Sequence, residues 1–119
     1  MFDFKQLGVY IKAKEFHLRV LSLIKSHANL NKTIVDQLWR ASFSIPLNIA
    51  EGSGRFSKPD RKNFFIIARS SLFETVAIID ILKDSDVITE EVQMEIESRA
   101  EELSRILYVM IKNLNKKSE

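Results

Sequence analysis

Four cations crowd one short stretch of this chain. Arg55, Lys58, Arg61 and Lys62 fall within eight residues, with Phe56 among them. Such a cluster can hold phosphates, and an exposed phenylalanine can stack on an unpaired base. The same residues also fit a solvated loop with Phe56 tucked into the end of a helical bundle. Immediately upstream, SIPLNIAEGSGR (residues 44–55) places Asn48 and Glu51 inside an otherwise apolar segment. Asn48 beside a core seam can fix register, as single buried asparagines do in coiled coils. Glu51 and Arg55 stand four apart, in the order that favours an intrahelical pair. Glu74 lies between apolar arcs and needs a partner if buried, for which Arg40 is the natural candidate. A satisfied structural network of Arg40, Asn48, Glu51 and Glu74 is the favoured reading, since buried polar groups are usually hydrogen-bonded. A ligand or nucleic-acid role for this stripe stays open.

Catalytic chemistry finds little support. With no cysteine, thiolate metal sites and cysteine nucleophiles are absent together. His17 and His27 belong to no HExxH pair, and no Glu-x-x-His occurs. There is no GxxxxGK[ST] and no GxSxG, and GSGR lacks the strand context of a phosphate loop. The expectation is therefore no enzyme, no catalytic residue, no metal and no cofactor. His17 and His27 read as surface or interface residues.

The elements that must position these residues emerge from apolar spacing. A first helix runs roughly over 4–27, with Val9, Ala13, Phe16, Val20 and Leu23 repeating at four and three. A second begins near Thr33, where Thr33 and Asp36 make a weak capping box, and ends near Gly52 on a left-handed glycine cap. A third starts after Ser57 and Pro59, with Asp60 completing a second capping-box spacing, and runs to about Lys83. A fourth is capped by Thr89, with Glu90 and Glu91 in its first turn. Val92, Ile96, Leu103, Leu107, Met110 and Leu114 form its stripe, and Lys112, Lys116 and Lys117 suit its C-terminus. Short connections between four long helices predict an all-α, up-down-up-down antiparallel four-helix bundle in a single domain, 1–119.

The second and third helices are too apolar for such a bundle alone. In the second, Ile34, Leu38, Ala41, Ile45 and Ile49 cover one arc, and Val35, Trp39, Phe43, Leu47 and Ala50 cover much of the opposite side. In the third, Phe64, Ile67, Ser71, Thr75, Ile78 and Leu82 make one seam, and Ile66, Phe73, Ala77 and Ile81 another. A helix apolar nearly all round is normally buried nearly all round. The surplus predicts a homo-oligomer, with Trp39, Phe43, Leu47 and Phe73 at its interface. The duller alternative is that Trp39 and Phe43 merely cover loops.

Charge is uneven. Residues 1–72 carry twelve Lys and Arg against five Asp and Glu; residues 73–119 carry six against eleven. Such polarity can steer nucleic acid, let subunits meet by complementary ends, or simply be solvated. The opening MFDFKQLGVYIKAKEF does not read as a signal peptide, and no apolar run approaches the roughly 18 residues of a membrane span. The expectation is a cytoplasmic protein with no membrane partner.

QLWRASFSIPLNIAEGSGR, followed by ARSSLFET, resembles the 23S rRNA intervening-sequence protein family, also called four-helix-bundle proteins. Gln37, Leu38, Arg40, Ser44, Ile45, Pro46, Asn48, Ile49, Ala50, Glu51, Gly52, Gly54 and Arg55 fall on its motif, and Ala68, Ser71, Leu72 and Glu74 match the part on the next helix. Trp39 stands where the pattern has an arginine and Ser70 where glycine is common, which weakens a basic surface and favours a protein contact. The resemblance implies a bacterial, cytoplasmic helical bundle assembled as a homopentameric ring, with no established enzymatic activity. A related branch, the accessory proteins of diversity-generating retroelements, binds nucleic acid and a reverse transcriptase. That makes RNA or DNA, or a protein such as a reverse transcriptase, the partners the resemblance implies. The alternative is a protein-interaction scaffold without nucleic acid.

Overall fold

The computed structural model describes residues 1–115. A 3-10 turn, Asp3–Gln6, precedes four helices: α1 (Gly8–Lys25), α2 (Lys32–Ser53), α3 (Lys58–Asp84) and α4 (Glu90–Leu114). The first helical region is thus two elements. Leu7 is extended (φ −69°, ψ 129°), which separates the turn from α1. The expected Lys116 and Lys117 lie outside the described residues.

Three of the four helix starts carry a side-chain cap. The α2 cap is Asn31, whose side chain accepts from the Thr33 N–H. Thr33 is already helical, so the Thr33–Asp36 box does not form, and Asp36 pairs with Lys32 at 3.2 Å instead. Ser57 accepts from the Asp60 N–H and Thr89 from the Val92 N–H, as their spacing predicted. After α3 the chain turns through Asp86, whose φ of 60° is left-handed. The Val87 N–H reaches the Leu82 carbonyl (2.9 Å) and the Asp86 N–H the Lys83 carbonyl (3.0 Å), a Schellman closure with aspartate where glycine is usual.

Each helix packs on its neighbours in chain order, and α1 also meets α4. The α2–α3 seam is the most extensive and the α1–α4 seam the sparsest. Partners descend along α3 as they ascend along α2: Arg40 meets Glu74, Ser44 meets Ser71, and Gly52 meets Phe65. One apolar core joins all four helices, including the whole predicted α1 seam and Leu38, Ile45 and Ile49 of α2. Ile96, Leu103 and Leu107 bring α4 into it.

Two sequence expectations are corrected here. Gly52 does not end α2 with a left-handed conformation; it lies inside the helix, and no described glycine has positive φ. Its missing side chain serves packing: a Cβ there would stand 2.7 Å from Phe65 Cε1. The buried seam of α3 is Phe65, Ala68, Leu72, Thr75, Ile79 and Leu82. Of the seam that spacing offered, only Thr75 and Leu82 are buried; Ile67 is exposed, and Phe64, Ser71 and Ile78 are half-buried. With apolar residues on three sides of one helix, spacing alone left its phase undetermined.

Candidate functional site

The polar stripe of α2 resolves into three separate arrangements. Asn48 Nδ2 donates to the Ser44 carbonyl (2.8 Å) and to Ser44 Oγ (2.9 Å), and Ser44 Oγ lies 2.8 Å from Ser71 Oγ of α3. Asn48 therefore reaches α3 through a serine pair. Thr75 extends the seam by donating to the Ser71 carbonyl at 2.8 Å. Arg40 and Glu74 do meet, but at 3.9 Å and largely in solvent, so the pair is worth little. Glu51 pairs with Arg55 at 3.6 Å, just past the helix end. Among the described residues, no buried side-chain nitrogen or oxygen lacks a partner.

The four clustered cations differ in what holds them. Arg55 lies with its guanidinium 4.6 Å over the Phe64 ring, besides its contact with Glu51. Arg61 donates from Nε to the Arg55 carbonyl (2.9 Å) and from Nη2 to the Ser53 carbonyl (3.3 Å). It thereby satisfies acceptors that the end of α2 leaves open. Lys58 is exposed and Lys62 half-buried. Phe56 is fully exposed, so it is not tucked into the bundle end. Beside it, a groove of about 710 Å³ is lined by Phe2, Phe4, Glu51, Arg55, Phe56 and Asp60, among others.

The outer side of α2 carries Trp39, Phe43 and Leu47, one helical turn apart, at 41%, 36% and 47% exposure. Phe73 on α3 is 54% exposed. Trp39 and Phe43 lie 4.6 Å apart between ring centres, and both pack on His17 of α1 at 5.2 and 5.3 Å. They cover a helix junction while remaining open to solvent.

His17 corrects a surface reading. It is buried, and its Nδ1 lies 2.7 Å from Ser42 Oγ, which is also 3.3 Å from the Trp39 carbonyl. With Nδ1 protonated, the hydroxyl accepts from the ring and donates to the carbonyl. Burial lowers the imidazole pKa below 6.5. The spacing contained this placement: His17 stands four after Ala13 and three before Val20, on the α1 seam. Arg69 was also missed. Its guanidinium lies 4.8 Å from the Phe73 ring and 5.5 Å from Tyr108, and its Nε donates to the Ser104 carbonyl at 3.4 Å. The signal was an arginine four residues before an aromatic on an apolar helix. His27 Nδ1 lies 2.9 Å from the Leu23 carbonyl, a helix-end contact.

Ion pairs tie α1 to α4. Lys12 pairs with Glu102, which raises the lysine pKa and lowers the glutamate's. Glu95 receives Arg19 and Arg99 at 2.5 Å each. Desolvation raises the Glu95 pKa, but the two arginine hydrogen bonds outweigh it and hold the carboxyl below 4.5.

With the seam, the loop and the α2 face placed, comparison with known proteins decides the family. The profile described as 23S rRNA-intervening sequence protein matches residues 5–109. The chain belongs to that family. The match spans α1, α2 and α3 and most of α4, so the basic loop and the Trp39 face both lie within the family's domain. Among solved structures, a protein of unknown function from the S23 ribosomal protein family of Bacteroides thetaiotaomicron VPI-5482 superposes with a TM-score of 0.81. It is 26% identical, over 87% of this chain and 98% of that one. No curated protein matches this chain. Among the described residues, no helix is long and apolar enough to cross a membrane.

Proposed function

We propose that this chain is a non-enzymatic assembly protein: an up-down-up-down bundle that closes into a homo-oligomeric ring, pentameric as the family resemblance implies. The carrying observation is the Trp39–Phe43–Leu47 face. Three large apolar side chains on consecutive turns stay open to water after α2 has already filled the core. Soluble monomers avoid such patches, and assemblies use them. The opposed order of partners along α2 and α3 supports the up-down arrangement. Size-exclusion chromatography with light scattering tests the assembly. The expected mass is a multiple of the 13.8 kDa chain, and a monodisperse monomer at micromolar concentration rejects it.

A second reading, binding of single-stranded RNA or DNA, rests on Phe56, fully exposed beside Arg55 and Lys58. Asp3, Glu51 and Asp60 line the adjoining groove. Phosphates would therefore be met at its rim, by Arg55, Lys58 and Lys62, with a base face stacked on Phe56. A ring would repeat this weak contact and raise its avidity. Binding should weaken as salt rises, and fall with Phe56→Ala and with the double variant Arg55→Ala, Lys58→Ala. Salt-insensitive or absent binding leaves the chain as a protein scaffold.

A further inference from the structure

Among the apolar surfaces that the described residues leave outside the core, two lie on separate sides of one helix pair and differ in shape. One is the α2 ridge of Trp39, Phe43 and Leu47, and Glu51 follows Leu47 at the same four-residue step. The other is a groove of about 400 Å³ between α3 and α4, lined by Ile66, Arg69, Ser70, Phe73, Tyr108 and Ile111. Its guanidinium is unusual. Arg69 is stacked against Phe73 and Tyr108, and its Nε donates to a backbone carbonyl. No carboxylate pairs with it among the described residues.

We propose that this groove is the docking site for the α2 ridge of a second copy of the chain, with Glu51 of the incoming copy meeting Arg69. The proposal rests on the oligomeric reading above and assigns its two surfaces. Side chains four apart form the ridges that pack into helix grooves. The charges are complementary: the ridge ends on Glu51, whose own-chain pair with Arg55 is exposed and 3.6 Å long, and an arginine without a carboxylate lies in the groove. A half-covered guanidinium gains from an acceptor brought into the same desolvated place. Symmetry points the same way. A two-fold dimer can join ridge to groove only if both meet the partner across one axis, whereas head-to-tail contact lets each copy offer its ridge to one neighbour and its groove to another. Head-to-tail contact covers ridge and groove together on every copy of a ring whose rotation closes.

Leu47→Glu blocks the ridge and Phe73→Glu blocks the groove; both residues are exposed and outside the core. Circular dichroism and thermal melts first establish that each variant folds. Each alone should be a monomer by light scattering. Mixed, they should form a one-to-one heterodimer through the single intact ridge and the single intact groove. Phe73→Glu assembling like the parent overturns the proposal, as does a mixture that stays monomeric. A monomeric parent chain overturns it together with the oligomeric reading, whereas an assembled parent with either of the former results overturns the docking alone. If a glutamate variant does not fold, charge reversal gives the same decision. Glu51→Arg and Arg69→Glu should each raise the dissociation constant roughly tenfold or more, and the double variant should recover. Failure of the double variant to recover overturns the proposal.

Discussion

At the scale of the residue, His17 ties three observations together. Its ring fills the junction between α1 and α2, hydrogen-bonds Ser42, and supports Trp39 and Phe43 from beneath. Burial there disfavours the charged form, so the folded pKa lies below the unfolded value of 6.5. The unfolded chain therefore takes up a proton at a higher pH than the folded chain does. Stability present at neutral pH should be lost as pH falls through 6.5 and on toward the folded pKa. Glu95 and Glu102 also have lowered pKa values, but their loss begins only below about 4.5. A fall in melting temperature between about pH 7 and pH 5 thus belongs to His17. Melts across that range should show the fall in the parent and a flattened profile in His17→Gln. An equal fall in both assigns it elsewhere. The position was legible in the sequence, since His17 continues the α1 seam at four and three. Residue type pointed the other way, because histidine is mostly found outside a core, and only a partner such as Ser42, 25 residues away, makes the interior affordable.

At the scale of the element, two turns exchange the roles that their residue types suggest. Gly52 looks like a cap and is a packing residue; Asp86 looks like an ordinary loop aspartate and holds the left-handed position. Gly52→Ala would gain up to about 1 kcal/mol of helix propensity. Its Cβ would also stand 2.7 Å from the buried Phe65 ring and 3.0 Å from Phe64 Cβ. Overpacking of that kind costs about 1–3 kcal/mol, so a net loss is expected in chemical denaturation. Asp86→Gly should move the other way, by up to about 1 kcal/mol, because glycine takes a positive φ without steric cost. The four helices, the Ser57 and Thr89 caps and the α1 and α4 seams could be read directly, because each shows one dominant apolar arc or a side-chain cap; the inner arc of α2 was one of two that spacing offered. The phase of α3 could not. Phe64, Phe65, Ile66 and Ile67 are consecutive and apolar, so their spacing favours no face. The inward face is chosen by partners on α2: Gly52 leaves room for Phe65, and Ser44 meets Ser71.

At the scale of the whole molecule, part of the charge asymmetry along the chain is offset between neighbouring helices. Lys12–Glu102, Arg19–Glu95 and Arg40–Glu74 each join a cation from the first 72 residues to an anion from the remainder. The molecule is 53 Å long and 25 by 22 Å across, and its densest run of cations is the loop after α2. At the loop after α2, Arg61 is committed to backbone carbonyls, and the proposed phosphate contacts are those of Arg55, Lys58 and Lys62. Each phosphate neutralised on a single strand contributes about −0.7 to the slope of log affinity against log salt. Binding of an oligonucleotide too short to reach a second protomer should then give a slope of about −2. The Arg55→Ala, Lys58→Ala variant should bring it near −0.7 while Phe56 stacking persists. Fluorescence anisotropy across a salt series measures both. A slope much steeper than −2 would place the phosphate contacts on a broader surface than this loop, and a slope unchanged in the variant would remove Arg55 and Lys58 from them.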